Sequence, residues 1–132
     1  MRILPRSLAG WTIAVFGVMA VLFGIIGLVS PQTVATSAGF GTLSTDGRVF
    51  ATASSMASLN MGVYYLVAMA TEWRPFFRFT IPFRLLTFTV FTTLVATGAA
   101  PGEFLSVALW EAAGAIATGA GLYVDARRPD PA

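Results

Sequence analysis

The stretch Trp11–Val29, WTIAVFGVMAVLFGIIGLV, decides the fold class. It is 19 residues long and carries no charge. About 20 such residues cross the hydrocarbon core of a bilayer as one α-helix. Three more apolar stretches follow. Phe50–Ala70 is uncharged but holds Ser54, Ser55, Ser58 and Asn60. The third runs from about Leu85 to Ala100 and is rich in threonine (Thr87, Thr89, Thr92, Thr93 and Thr97). Phe104–Val124 contains a single charge, Glu111. The expected fold is all-α: one transmembrane domain over 1–132, an integral membrane four-helix antiparallel bundle. Its spans fall at about 11–29, 50–70, 85–100 and 104–124.

Composition agrees. Of 132 residues, 56% are hydrophobic and 11% charged, and the mean hydropathy is +0.77. Soluble domains carry about a quarter charged residues, so an ordinary soluble domain is excluded. A disordered chain, which needs low hydrophobicity, is excluded too. With no Cys and no His, disulfides, thiolate chemistry and the commonest metal ligand and general base are missing. No phosphate loop, nucleophile elbow or dinucleotide fingerprint is present. The sequence therefore implies no catalytic residue, no cofactor and no metal.

Charge sets the topology. Alternating spans place the N-terminus, the 71–84 segment and the C-terminal tail on one side. That side holds seven arginines (Arg2, Arg6, Arg74, Arg78, Arg84, Arg127 and Arg128), and the other side only Arg48. The positive-inside rule then puts both termini in the cytoplasm of a multi-pass cell-membrane protein. Arg2 and Arg6 before an apolar run also suit a signal peptide, with cleavage after Ala35 or Ala38. The run is longer than a signal's apolar core and three spans follow, which favours a retained anchor.

The segment Thr71–Arg84, with EWRPFFRFTIPFR, interleaves aromatics with arginine. Nucleic-acid binders do the same, but here headgroup anchoring is the better reading and no nucleic-acid partner is expected. Trp73, Phe76, Phe77 and Phe79 should sit at headgroup level while Arg74, Arg78 and Arg84 snorkel. Pro75 and Pro82 should break the segment into a short interfacial turn. The 30–49 segment, bearing Pro31, Gly39, Gly41 and Asp46-Gly47, should lie on the membrane surface or fold over the bundle mouth. Pro101-Gly102-Glu103 should close a tight hairpin between spans three and four.

Insertion energies separate the spans. The eleven Leu, Ile, Phe and Val residues of span one are worth roughly −5 kcal/mol. Span four has seven, worth roughly −3 kcal/mol, most of it cancelled by Glu111. Span two has five, offset by its serines and Asn60. Spans two and four should therefore need protein neighbours, and spans one and three should form the lipid-facing wall. Small residues at four-residue intervals (Ser54, Ser58 and Gly62; Ala113, Ala117 and Gly121; Ala20 and Gly24) suit close helix packing. They suit intramolecular packing first, and a homodimer seam or a partner membrane protein second.

An ionisable residue within a span is a site hypothesis by default. Glu111 lies about 10 to 12 Å from the outer end of its span, and Asn60 roughly 15 Å deep from the same face. Thr92 reaches a similar depth on span three. Tyr64 lies one turn inward of Asn60, and Arg84 near the level of Tyr64. The expected polar intramembrane site is Glu111, Asn60, Tyr64, Thr92 and Arg84, with Trp110 and Phe91 as pocket-lining candidates. Glu111 can be a neutral acid stapling helices, or a carrier of protons or a substrate contact.

The layout resembles the small four-helix bacterial membrane proteins of the DoxX-like type. The likeness rests on the Arg-bearing N-terminus, a Gly-rich first span, a longer first external loop and the final hairpin closed by Pro101-Gly102-Glu103. It implies a compact four-helix bundle and carries over no catalytic residue. The size also resembles small multidrug transporters, dimers of four-helix subunits with one membrane carboxylate. Theirs lies in the first span, whereas Glu111 is in the fourth. Three functions follow: an accessory or structural membrane protein, a proton-coupled carrier of small apolar or cationic molecules, or a membrane enzyme acting on a lipid-soluble substrate.

Overall fold

The computed structural model describes residues 3–129. Arg2 and the last residues of the tail, Asp130 to Ala132, lie outside the described residues. Within them the chain is all-helical, with five α-helices and no strand. They are α1 (Leu8–Val29), α2 (Pro31–Ser37), α3 (Thr45–Ala70), α4 (Arg74–Ala96) and α5 (Leu105–Arg127). A 3₁₀ turn, Gly102–Phe104, leads into α5. Three segments are long and apolar enough to cross a membrane: Leu8–Val29, Arg74–Ala96 and Gly102–Arg127. With 26 residues α3 has the length, but it is not among the segments apolar enough to cross.

The helix at the centre is α1. It packs against α3 on one side and α5 on the other, while α4 lies mainly along α5. Glycines set these approaches. A Cβ on Gly62 would meet the backbone of Gly17 and Val21 at 2.7 Å, and one on Gly24 would meet the Leu59 backbone nitrogen at the same distance. On the other side a Cβ on Gly114 would strike the Phe16 ring, and one on Gly121 would lie 2.8 Å from the Ala9 nitrogen. Ser58 adds a hydrogen bond from its Oγ to the Ala20 carbonyl, 2.8 Å. Small-residue faces of this kind let two helix backbones touch.

This corrects the expected wall in part. α4 is peripheral, as anticipated for the third span, but α1 is central while still exposing Val15, Val18, Leu22, Phe23, Ile25 and Ile26 on its outward side. Apolarity governs how readily a helix enters lipid. A glycine face governs how closely others approach it, and α1 has both. Conversely α3 has one principal neighbour, α1, and its opposite face is bare.

The expected turn over 71–84 is also corrected. Only Thr71–Trp73 separates α3 from α4, and α4 runs through Pro82. Pro75 sits in the first turn, where a missing N–H costs nothing. Pro82 removes one backbone bond and leaves the helix continuous, as apolar helices tolerate. Phe76 and Phe77 consequently point into the core, Phe77 with no exposed surface, rather than to headgroup level. Trp73 and Phe79 stay exposed.

At the other end of the molecule, the 30–49 segment folds against the α5 entry. Gln32 organises it: Nε2 donates to the Gly41 carbonyl (3.0 Å) and Oε1 accepts from the Leu43 amide (2.8 Å). Phe40 meets Phe104 edge-on at 5.7 Å, and Phe104 meets Phe91 at 4.8 Å. The hydrophobic core lies at the opposite end, where Ala9, Ile13, Phe16, Tyr65, Met69 and Phe77 converge.

Candidate functional site

Arg84 is the one charge in the deep interior among the described residues, 3% exposed. The passage of α4 through Pro82 carries it there, eleven residues beyond the N-cap Trp73 and well inside the helix. Its Nε donates to the Tyr65 hydroxyl (3.1 Å) and its Nη1 to Thr118 Oγ1 (3.4 Å). The guanidinium carbon lies 3.6 Å from the centroid of the Phe16 ring and 4.9 Å from that of Tyr65. Thr118, fully buried, also shares a 2.8 Å hydrogen bond with Thr12. One side chain from each of the four long helices thus meets at this guanidinium: Phe16 of α1, Tyr65 of α3, Arg84 of α4 and Thr118 of α5. Nη2 has no partner. Stacked aromatic faces and two hydroxyls hold a cation here without an adjacent acid, and cation–π attraction strengthens when water is excluded.

The other anticipated residues are not gathered around it. Asn60 and Tyr64 are exposed on the outer face of α3, Tyr64 to 58%. The tyrosine that reaches Arg84 is its neighbour Tyr65. Thr92 is partly buried and its Oγ1 has no partner. Glu111 is partly buried on the same α5 face as Ala108, Ala115 and Thr118. It lies two turns from Thr118, about 10 Å along the helix. Counting eight residues along each antiparallel helix from the Arg84–Thr118 contact brings Thr92 level with Trp110 and Glu111. Trp110 stacks on Phe16 at 4.4 Å, and Phe91 packs on Phe104. Trp110 and Phe91, anticipated to line one pocket, thus stack on different rings, Phe16 and Phe104.

A second polar cluster closes the end that carries the termini. The Asp125 carboxylate accepts from the Leu8 and Ala9 amides, both at 3.0 Å. It supplies, from the last turn of α5, the cap that the first turn of α1 needs. Ser7 caps the same helix through Gly10 N (2.9 Å) and donates its hydroxyl proton to Glu72. Glu72 holds φ at 50°, a left-handed conformation that costs a non-glycine residue energy. Its partners are Ser7 and the Arg6 amide, not the neighbouring arginine that would be expected in water. Glu111, Thr118 and Asp125 recur every seven residues along one face of α5. That spacing was readable, and it is the sequence signal for this polar row.

No family model, curated protein or solved structure matches this chain. Among the described residues no three acidic side chains come together as a metal site.

Proposed function

We propose that this is an integral protein of the cell membrane that crosses the bilayer four times, with both ends in the cytoplasm, and acts as an accessory or structural component without chemistry of its own. The observation that carries the reading is the interior tie at Arg84. The most polar group in the core is spent joining four helices, with an aromatic ring packed on one face. The clasp of Asp125 on Leu8 and Ala9, with Glu72 beside it, supports an even number of crossings, because it holds both ends of the helical array and the α3–α4 turn together. Most of the arginines cluster toward that end, which supports its cytoplasmic placement. The outward surfaces of α1 and α4, rich in Val, Leu, Ile and Phe, suit hydrocarbon. The layout shared with the DoxX-like type is consistent with this bundle and adds no activity.

The chain lacks cysteine, so single cysteines test the topology cleanly. In sealed right-side-out vesicles, Thr42→Cys should react with an impermeant maleimide, while Ile3→Cys and Arg128→Cys should react only after permeabilisation. Opposite behaviour of Ile3→Cys and Arg128→Cys would overturn the four-crossing reading.

A second reading has its own observation. Glu111, level with the unpartnered hydroxyl of Thr92, suits a proton-coupled carrier. The fixed guanidinium repels a cation, so small apolar cargo fits better than cationic cargo. Reconstituted protein should then show pH-driven flux that Glu111→Gln abolishes while the fold survives. Equal flux in the Gln variant would remove this reading.

A further inference from the structure

The two long faces of α3 are unlike. One carries Ser55, Gly62, Tyr65 and Met69 and is buried against α1 and the core. The opposite face carries Phe50, Ala53, Ala57, Asn60, Tyr64 and Val67, and every one of these is exposed. Their spacing alternates between three and four residues, the 3.5-residue repeat of a helix seam that wraps around a partner. Asn60 lies ten residues from the inner end of α3, roughly 15 Å along the axis, at the middle of a crossing in the four-span reading on which this inference rests. Its carboxamide forms no hydrogen bond with the described chain. Hydrocarbon offers it none, and an unsatisfied amide there is costly. Independently, α3 is the long helix that is not apolar enough to cross alone, yet it has a single principal neighbour. Something must cover this face.

We infer that a second copy of this chain covers it, with the two α3 helices packed in parallel about a twofold axis along the membrane normal. The carboxamide identifies the occupant. It both donates and accepts, so it is complementary to itself. Copies inserted with the same topology bring Asn60 against Asn60 at one depth, as an isologous interface requires. Ala53 and Ala57, four residues apart, let the backbones approach. Tyr64 lies one turn below and packs across the seam, and a single Asn in such a repeat fixes register and pair formation.

The test uses the full chain in phosphatidylcholine/phosphatidylglycerol vesicles. Ala57→Cys should cross-link to a dimer under mild oxidation, and Ile116→Cys, on the outer face of α5, should not. Förster transfer between labelled copies should survive lipid dilution. Asn60→Leu should weaken association about tenfold, the scale of an interhelical hydrogen bond in lipid. Asn60→Gln should recover most of the loss. Because Asn60 is exposed, the Leu variant keeps the helix and inserts at least as readily. Monomers in vesicles, equal cross-linking at Ile116→Cys, or unchanged association of Asn60→Leu would each overturn the dimer while leaving the four crossings standing. Labelling of Ala57→Cys by an impermeant maleimide from water would overturn both.

Discussion

The end of the molecule that carries the termini and the end that carries α2 are built differently. At the first, Ile13, Phe16, Tyr65, Met69 and Phe77 form one buried cluster, Arg84 stacks on the Phe16 and Tyr65 rings, and Asp125, Ser7 and Glu72 tie the helix ends together. At the second, Leu28, Thr52, Ala53 and Met56 line an open groove beneath Arg48, and order comes from Gln32 and a few ring contacts. Four helices converge at one end, whereas at the other the short α2 is what packs beside α1 and α3. Stability should therefore be concentrated at one end.

Substitutions can break that contrast. The largest effect is expected from Arg84→Ala, which removes a buried side chain that touches three other helices. It should cost about 3 kcal/mol, in the range of large-to-small core changes, read as reduced resistance to unfolding in mixed micelles by tryptophan fluorescence. Arg84→Met offers a sharper comparison. If the arginine only ties helices, an apolar side chain of similar length should retain most of the stability, since buried charges are often replaceable by packed hydrophobes. Gly62→Val comes next. It should cost about 2 kcal/mol through overpacking and separate α1 from α3, visible as loss of a cross-link engineered between Ala20→Cys and Ser58→Cys. Asp125→Ala should cost about 1 kcal/mol, the value of a helix cap, with faster hydrogen exchange at Leu8 and Ala9. At the open end, Met56→Ala should change stability by no more than about 0.5 kcal/mol, as exposed positions do. An effect as large as that of Asp125→Ala would mean the groove is packed in the membrane.

What could be read in advance follows the same division. Uncharged length identified α1, and Pro101-Gly102-Glu103 fixed the hairpin into α5, because both depend on short-range properties of the chain. The helical phase was not legible. Helices apolar on nearly every side give no strong stripe to mark the inner face. The choice between Tyr64 and Tyr65 then turns on one residue, about 100° of rotation, and only packing against α1 decides it. The prolines misled for a related reason. In water Pro82 would argue for an end to the helix. In an apolar setting continuing it leaves fewer unsatisfied backbone groups than stopping, and Arg84 moves from the edge to the centre. The outward placement of Asn60 was not legible for the same reason.

The cap on α1 has a bearing on how the chain is made. Its first amides are satisfied by a carboxylate 117 residues further on, so the leading helix must leave the ribosome and wait with those donors open. At about 5–20 residues per second, that delay lasts on the order of ten seconds. Closure of that cap is thereby deferred until Asp125 has been made, and a fragment released before Asp125 would present a loosely capped α1 to the cell's quality-control proteases.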